Sequence, residues 1–236
     1  MEVEGGQMRT FLCIAALLAA SPSAAATRNF GISGFTKIRV DGPYEVNVTT
    51  GVAPFAKASG PGPALDRVAI DVRGDTLVVH PGSSSWGGYP GADAGPVQID
   101  IGVHELSNAW LNGAGALAID RVKGLSFALS VQGSGGAQIG NVAIDQMNVS
   151  LVGSANAKLG GQAKKLTALV RGISTLDAAA LQAHDATIGA DGAATIDVNV
   201  INAVKVDATG NATIRFSGLP SCTVKAKGST SVSGCR

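Results

Sequence analysis

Aromatic side chains are nearly absent: Phe, Trp and Tyr make up 4% of the 236 residues. No core can be built from packed rings, so the hydrophobic 45% must pack as narrow layers of Val, Ile, Leu and Ala. Charge is scarce as well, at 15% of the chain, and balanced, with 18 Lys and Arg against 17 Asp and Glu. That leaves neither a basic stripe to collect phosphates nor an acidic tail, and nucleic acid is not an expected partner. Long apolar runs are missing too: none approaches the roughly 20 residues that a membrane-spanning helix needs.

The longest apolar run, Phe11 to Ala20, follows Arg9 and precedes small residues from Ser21 to Ala26. A positive flank, a short apolar stretch and a small-residue exit are the marks of a secretory signal, so cleavage is expected after Ala26. Residues 27–236 are then the mature protein, expected to be soluble in the periplasm, at the outer envelope or outside the cell. Met8, directly before Arg9, gives a more ordinary signal start than Met1. Cys13 leaves with the signal, and Cys222 and Cys235 remain. In an oxidising compartment this pair favours a disulfide closing a short C-terminal loop, the alternative being two reduced core thiols.

What the chain has in quantity is glycine, with 32 residues. From Trp110 onward one glycine recurs at near-constant spacing: Gly113, Gly133, Gly153, Gly172, Gly192, Gly210 and Gly228. Four residues after each stand Leu117, Ala137, Ala157, Leu176, Ile196, Ile214 and Val232, and two before each stand Leu111, Val131, Leu151, Val170, Ala190, Ala208 and Ala226. Alternation on both sides of a glycine reads as strand, corner, strand. A fixed period of about 20 residues is the mark of a solenoid, in which a turn buries its apolar face only against its neighbours. Glycine suits the corner because it accepts positive φ, and the small residues that follow (Gly115, Gly135, Ala155, Ser174, Ala194, Ala212) leave room for the bend. Lys164 to His184, rich in Ala and Leu, has the propensity of a helix. Gly172 and Leu176 keep the repeat register there, so it is assigned as strand.

Residues 30–108 alternate less regularly, with Ile38/Val40, Val46/Val48, Val68/Ile70/Val72, Leu77/Val79 and Val97/Ile99/Ile101 separated by turns such as Asp41-Gly42-Pro43. These are expected to form the first irregular coils and to cover the open edge of the stack. The expectation is a single all-β domain over 27–236: an irregular N-terminal β cap (30–108), then about seven glycine-cornered rungs of a single-stranded parallel β-helix-like solenoid (109–236).

Phe35-Thr36-Lys37-Ile38-Arg39-Val40, Tyr44-Glu45-Val46-Asn47-Val48 and Val72-Arg73-Gly74-Asp75-Thr76-Leu77-Val78-Val79 lead into the serial glycine rungs, which close at Phe216-Ser217-Gly218-Leu219-Pro220. Over residues 35 to 235 this pattern resembles the putative auto-transporter adhesin, head GIN domain family. The resemblance implies a right-handed parallel β-helix-like fold in an exported or envelope protein, and it brings no catalytic motif. The Gly-Ser-Gly corner usual in that family survives only at Gly133-Ser134-Gly135.

Two groups of residues are candidates for a ligand surface. Five residues after each corner glycine lies an outward column containing Lys158, Asp177, Asp197 and Arg215. Stacking would put Asp177 beside Asp197, flanked by the two cations. Polysaccharide-cleaving β-helix enzymes use close carboxylates in this way, because a pair splits its pKa values, and such a pair could also hold Ca²⁺. The competing interpretation is a charge-compensated surface ladder of little energetic weight. Separately, Trp86 and Tyr89 lie in a Gly/Ser-rich loop, and Trp110 occupies an outward column. These rings could stack on sugars, or fold over the cap. His80, His104 and His184 are scattered without ligand-type spacing, so no metal or cofactor site is expected. No Gly-x-Ser-x-Gly elbow supports nucleophilic hydrolysis. The functional expectation is a non-catalytic exported module for adhesion or scaffolding, with a glycan or envelope component as the partner class. A polysaccharide lyase or hydrolase using Asp177 and Asp197 is the alternative.

Overall fold

Apolar side chains at every second position and a glycine at every corner leave the chain one economical way to bury itself, which is to lay each turn flat on the last. The computed structural model describes residues 26–82 and 95–236. Among the described residues strand accounts for 75% and helix for 2%, the latter a single turn, α1 (Gly62–Leu65). Five turns are each one continuous bent strand: β9 (Ala116–Gly133), β10 (Gly136–Gly153), β11 (Asn156–Gly172), β12 (Thr175–Gly192) and β13 (Thr195–Gly210). A sixth is divided into β14 (Thr213–Ser217) and β15 (Ser221–Gly228), and β16 (Ser231–Ser233) begins another. All pair in parallel, and the seven corner glycines that bound about six turns fall in one register column from Gly113 through Gly133, Gly153, Gly172, Gly192 and Gly210 to Gly228.

Within a turn, adjacent exposed residues mark where the strand bends. In β9 these are 120–121, 123–126 and 132–133, which divide the turn into three sides. Leu117 and Ile119 point inward from side one, Val122 from side two, and Phe127, Leu129 and Val131 from side three, each no more than 2% exposed. The same positions recur in every turn, giving one continuous apolar core from Phe35 to Phe216. The corners explain the glycine column. Gly133 has φ +109°, and a Cβ there would lie 2.6 Å from the carbonyl oxygen of Gly113 in the turn below. The backbone turns are therefore closer at the corner than any side chain allows. The inward corner position tolerates only small residues, and where it is Ser174 the buried hydroxyl accepts from the Ala155 amide and lies 2.9 Å from the Arg171 carbonyl. Lys164 to His184 lies in β11 and β12 as extended strand, apart from the corner at Ile173 and Ser174.

The N-terminal strands cap the stack and also enter it. β2 (Lys37–Asp41) lies beside β8 (Asn108–Gly113), and β3 (Glu45–Thr50) lies beside the start of β9. Their shared corner, Gly42, has φ +130°, donates its amide to the Asn112 carbonyl at 2.9 Å and is the backbone neighbour of Gly113. Gly42 thus extends the corner column by one member, 71 residues upstream of Gly113 in the chain. On their other side β2 and β3 meet β6 (Thr76–Pro81) and β7 (Gln98–Val103). Residues 37–50 are therefore a rung inserted between two layers that follow them in sequence. Beyond that layer β4 (Phe55–Gly60) runs antiparallel on β7, β1 (Ala26–Phe30) antiparallel on β4, and β5 (Val68–Arg73) antiparallel on β6.

Candidate functional site

Side one carries the charged column. Register pairs Lys158 with Asp177, Asp177 with Asp197 and Asp197 with Arg215 in successive turns. The Arg215 guanidinium forks onto Asp197, with Nε to Oδ1 at 2.6 Å and Nη2 to Oδ2 at 2.7 Å. Those hydrogen bonds push the Arg215 pKa further above its ordinary value. Asp177 has its own cation in Lys158 at 3.9 Å and accepts the Ala179 amide at 3.3 Å. Each carboxylate is thus compensated separately, by its own cation, on an open face. Toward the cap the same side is hollowed into an open depression of about 390 Å³, because Ala116, Ala118 and Gly136 are small where Glu45, Gln138 and Lys158 stand taller.

Side three carries Trp110. In register it lies between Arg39 and Ser130, and the neighbouring outward column holds Asp41, Asn112 and Gln132. The Asp41 carboxylate is fixed from two directions: Arg39 Nε lies 2.8 Å from Oδ2, and Asn112 Nδ2 donates to Oδ1 at 2.6 Å. Arg39, Asp41, Thr76, Trp110, Asn112 and Gln132 line a depression of about 610 Å³. The structure does not bring Trp110 together with Lys158, Asp177, Asp197 and Arg215, since they occupy different sides of the solenoid. Trp86 and Tyr89 fall outside the described residues. Arg39, Asp41, Asn112 and Gln132 were missed in the sequence, although a signal was present: Asp41, Asn112 and Gln132 each directly precede a corner glycine.

Cys222 and Cys235 form a disulfide with a Cα–Cα distance of 5.7 Å, tying β15 to the tail that follows β16. Two of the histidines serve local pairs. His80 lies 2.9 Å from Asp71, and this hydrogen bond is the main reason the Asp71 pKa falls below its ordinary value. His184 lies 2.9 Å from Asp185 and lowers it in the same way, with help from Asn202. Among the described residues no group of three or more His, Cys, Asp or Glu is placed to hold a metal ion. Among the same residues no helix is long and apolar enough to cross a membrane.

The glycine-cornered stack and its strand cap agree with comparison to known proteins. The family described as "Putative auto-transporter adhesin, head GIN domain" matches residues 34–220. The chain belongs to this family. Among solved structures, a putative adhesin from Bacteroides fragilis is similar at a TM-score of 0.79 with 18% identity, covering 89% of this chain and 97% of that one. A putative lipid binding protein from Parabacteroides distasonis matches at 0.68 with 21% identity, covering 88% and 95%. A putative adhesin from Parabacteroides merdae matches at 0.65 with 18% identity, covering 88% and 95%. At these identities the likeness shows the fold. A comparison with curated proteins finds no match. Membership of the GIN-domain family implies an exported or surface protein and accords with a non-catalytic surface module.

Proposed function

We propose that this chain is an exported, non-catalytic β-solenoid that presents rigid polar faces for adhesion or scaffolding to a glycan or another envelope component. The observation that carries this reading is the separate compensation of Asp177 and Asp197 on an open face. A general acid must stay protonated near neutral pH, which calls for burial or an uncompensated neighbouring charge, and this column offers neither. The depressions described above are open to solvent, while the core columns are filled by buried aliphatic side chains. Such a build favours contact with a surface over enclosure of a small substrate or a lipid tail. The Cys222–Cys235 disulfide suits an oxidising compartment and supports export.

The competing reading, polysaccharide cleavage through Asp177 and Asp197 with Lys158 or Arg215 on a substrate carboxylate, rests on the adjacency of the two aspartates. A screen of the purified mature protein against polysaccharides, scored for both retention and product release, separates the two when run beside an Asp177→Asn/Asp197→Asn double variant. Retention without release, in both proteins, is the expected result. Release by the parent that is lost in the double variant would establish an enzyme.

A further inference from the structure

We propose that the depression around Trp110 on side three is a binding site for a neutral carbohydrate, with one sugar ring seated against the indole. This deepens the surface-binding reading and rests on it. Trp110 is the one tryptophan among the described residues, in a chain with two, and it points outward. It is half-buried, and it makes no hydrogen bond through its ring N–H among the described residues. Its neighbours in the next two turns of the same column are Ser130 and Ser150, which are short enough to leave the floor beside the ring open. An apolar ring bordered by open space is suited to the C–H face of a pyranose.

The polar groups around it are of the planar kind that recognises hydroxyl pairs. Asn112 and Gln132 sit one above the other in adjacent turns, and each carries an amide that donates and accepts. Asn112 spends one N–H on Asp41, which leaves its carbonyl for a sugar hydroxyl. Asp41 already receives Arg39 and Asn112. Its charge is therefore compensated within the site, which matches an uncharged sugar in preference to a uronate or a phosphate. The depression is open, with a volume of about 610 Å³, so it suits a sugar ring laid against the surface and not an enclosed ligand. Every lining residue sits at or within a strand of one ladder, β2, β6, β8 or β9. The groups are thus held in place before a ligand arrives, and little freedom is lost on binding.

The test uses the mature protein with Trp86→Phe, so that emission reports Trp110 alone, titrated with neutral cello-, chito-, malto- and manno-oligosaccharides and, in parallel, with oligogalacturonate. Saturable change in Trp110 fluorescence with at least one neutral series and none with oligogalacturonate is expected. In an otherwise native background, read by calorimetry with the same sugar, Trp110→Ala and Asn112→Ala/Gln132→Ala should each weaken binding at least tenfold. Lys227→Ala, in the same column at the far end of the stack, should leave it unchanged. The second variant keeps the test decisive if Trp110→Ala fails to fold. No saturable change with any neutral series overturns the proposal, as does affinity that survives both variants. Retention on envelope fragments, measured alongside, tells the two readings apart: fragments still held by a protein that ignores these sugars would sink the Trp110 site and leave the surface module standing.

Discussion

Gly133 and Gly124 both sit at positive φ, +109° and +126° respectively, but they differ in what surrounds them. A Cβ on Gly124 meets nothing within 4 Å, whereas one on Gly133 meets the Gly113 carbonyl at 2.6 Å. Gly124→Ala therefore adds backbone strain alone, on the order of 1 to 3 kcal/mol. Gly133→Ala adds the same strain and also pushes two turns apart. Chemical denaturation of the two variants should show Gly133→Ala as clearly the less stable. Equal losses would mean that strain alone explains the glycine column. The corner role was legible in the sequence because φ and close approach repeat with the period. The depression around Trp110 was not, since its walls come from Arg39, Asp41, Thr76, Trp110, Asn112 and Gln132, and their proximity depends on a pairing that no local pattern reports.

Strand, rather than propensity, governs Lys164 to His184. Ala and Leu favour helix when a segment is taken alone, but Leu166, Ala168, Val170, Leu176, Ala178 and Leu181 are all at most 2% exposed because β11 and β12 lie between β10 and β13. Burial on both flanks of the stack outweighs tenths of a kcal/mol per residue of helix preference. The last turn lacks this support. β15 has β13 on one side only, and its inward Val224 is 41% exposed. The Cys222–Cys235 bridge holds the terminal turn in place of a further layer. Cys222→Ala/Cys235→Ala should lower stability by about 2 to 3 kcal/mol, and exchange-detected fraying should be confined to β14–β16. Loss of protection across the whole stack would show instead that the bridge holds more than the end.

The molecule is a stack whose first regular layer is supplied out of order. Residues 37–50 obey the corner rule at Gly42, yet 71 residues separate that glycine from the next member of its column, so the period alone shows seven corners and leaves Asp41-Gly42-Pro43 as a cap turn. The repeat, its register and the outward column of Lys158, Asp177, Asp197 and Arg215 were readable because they are local and serial. The inserted rung was not, because it is set by pairing across the intervening strands β4 to β7. It also implies that the stack cannot close by winding from one end, since β2 and β3 must settle between β6–β7 and β8–β9. A rigid presenting face depends on that layer being as firmly held as the turns above it.

Native-state hydrogen–deuterium exchange of the mature protein tests this most directly, because slow exchange reports the stability of each ladder. Amides of residues 37–50 should exchange as slowly as those of β9 to β12, with β15 and β16 the fastest part of the stack. If residues 37–50 exchange with the fast C-terminal edge while 116–192 stay protected, the N-terminal segment is a loose cover and the continuous rigid face does not exist.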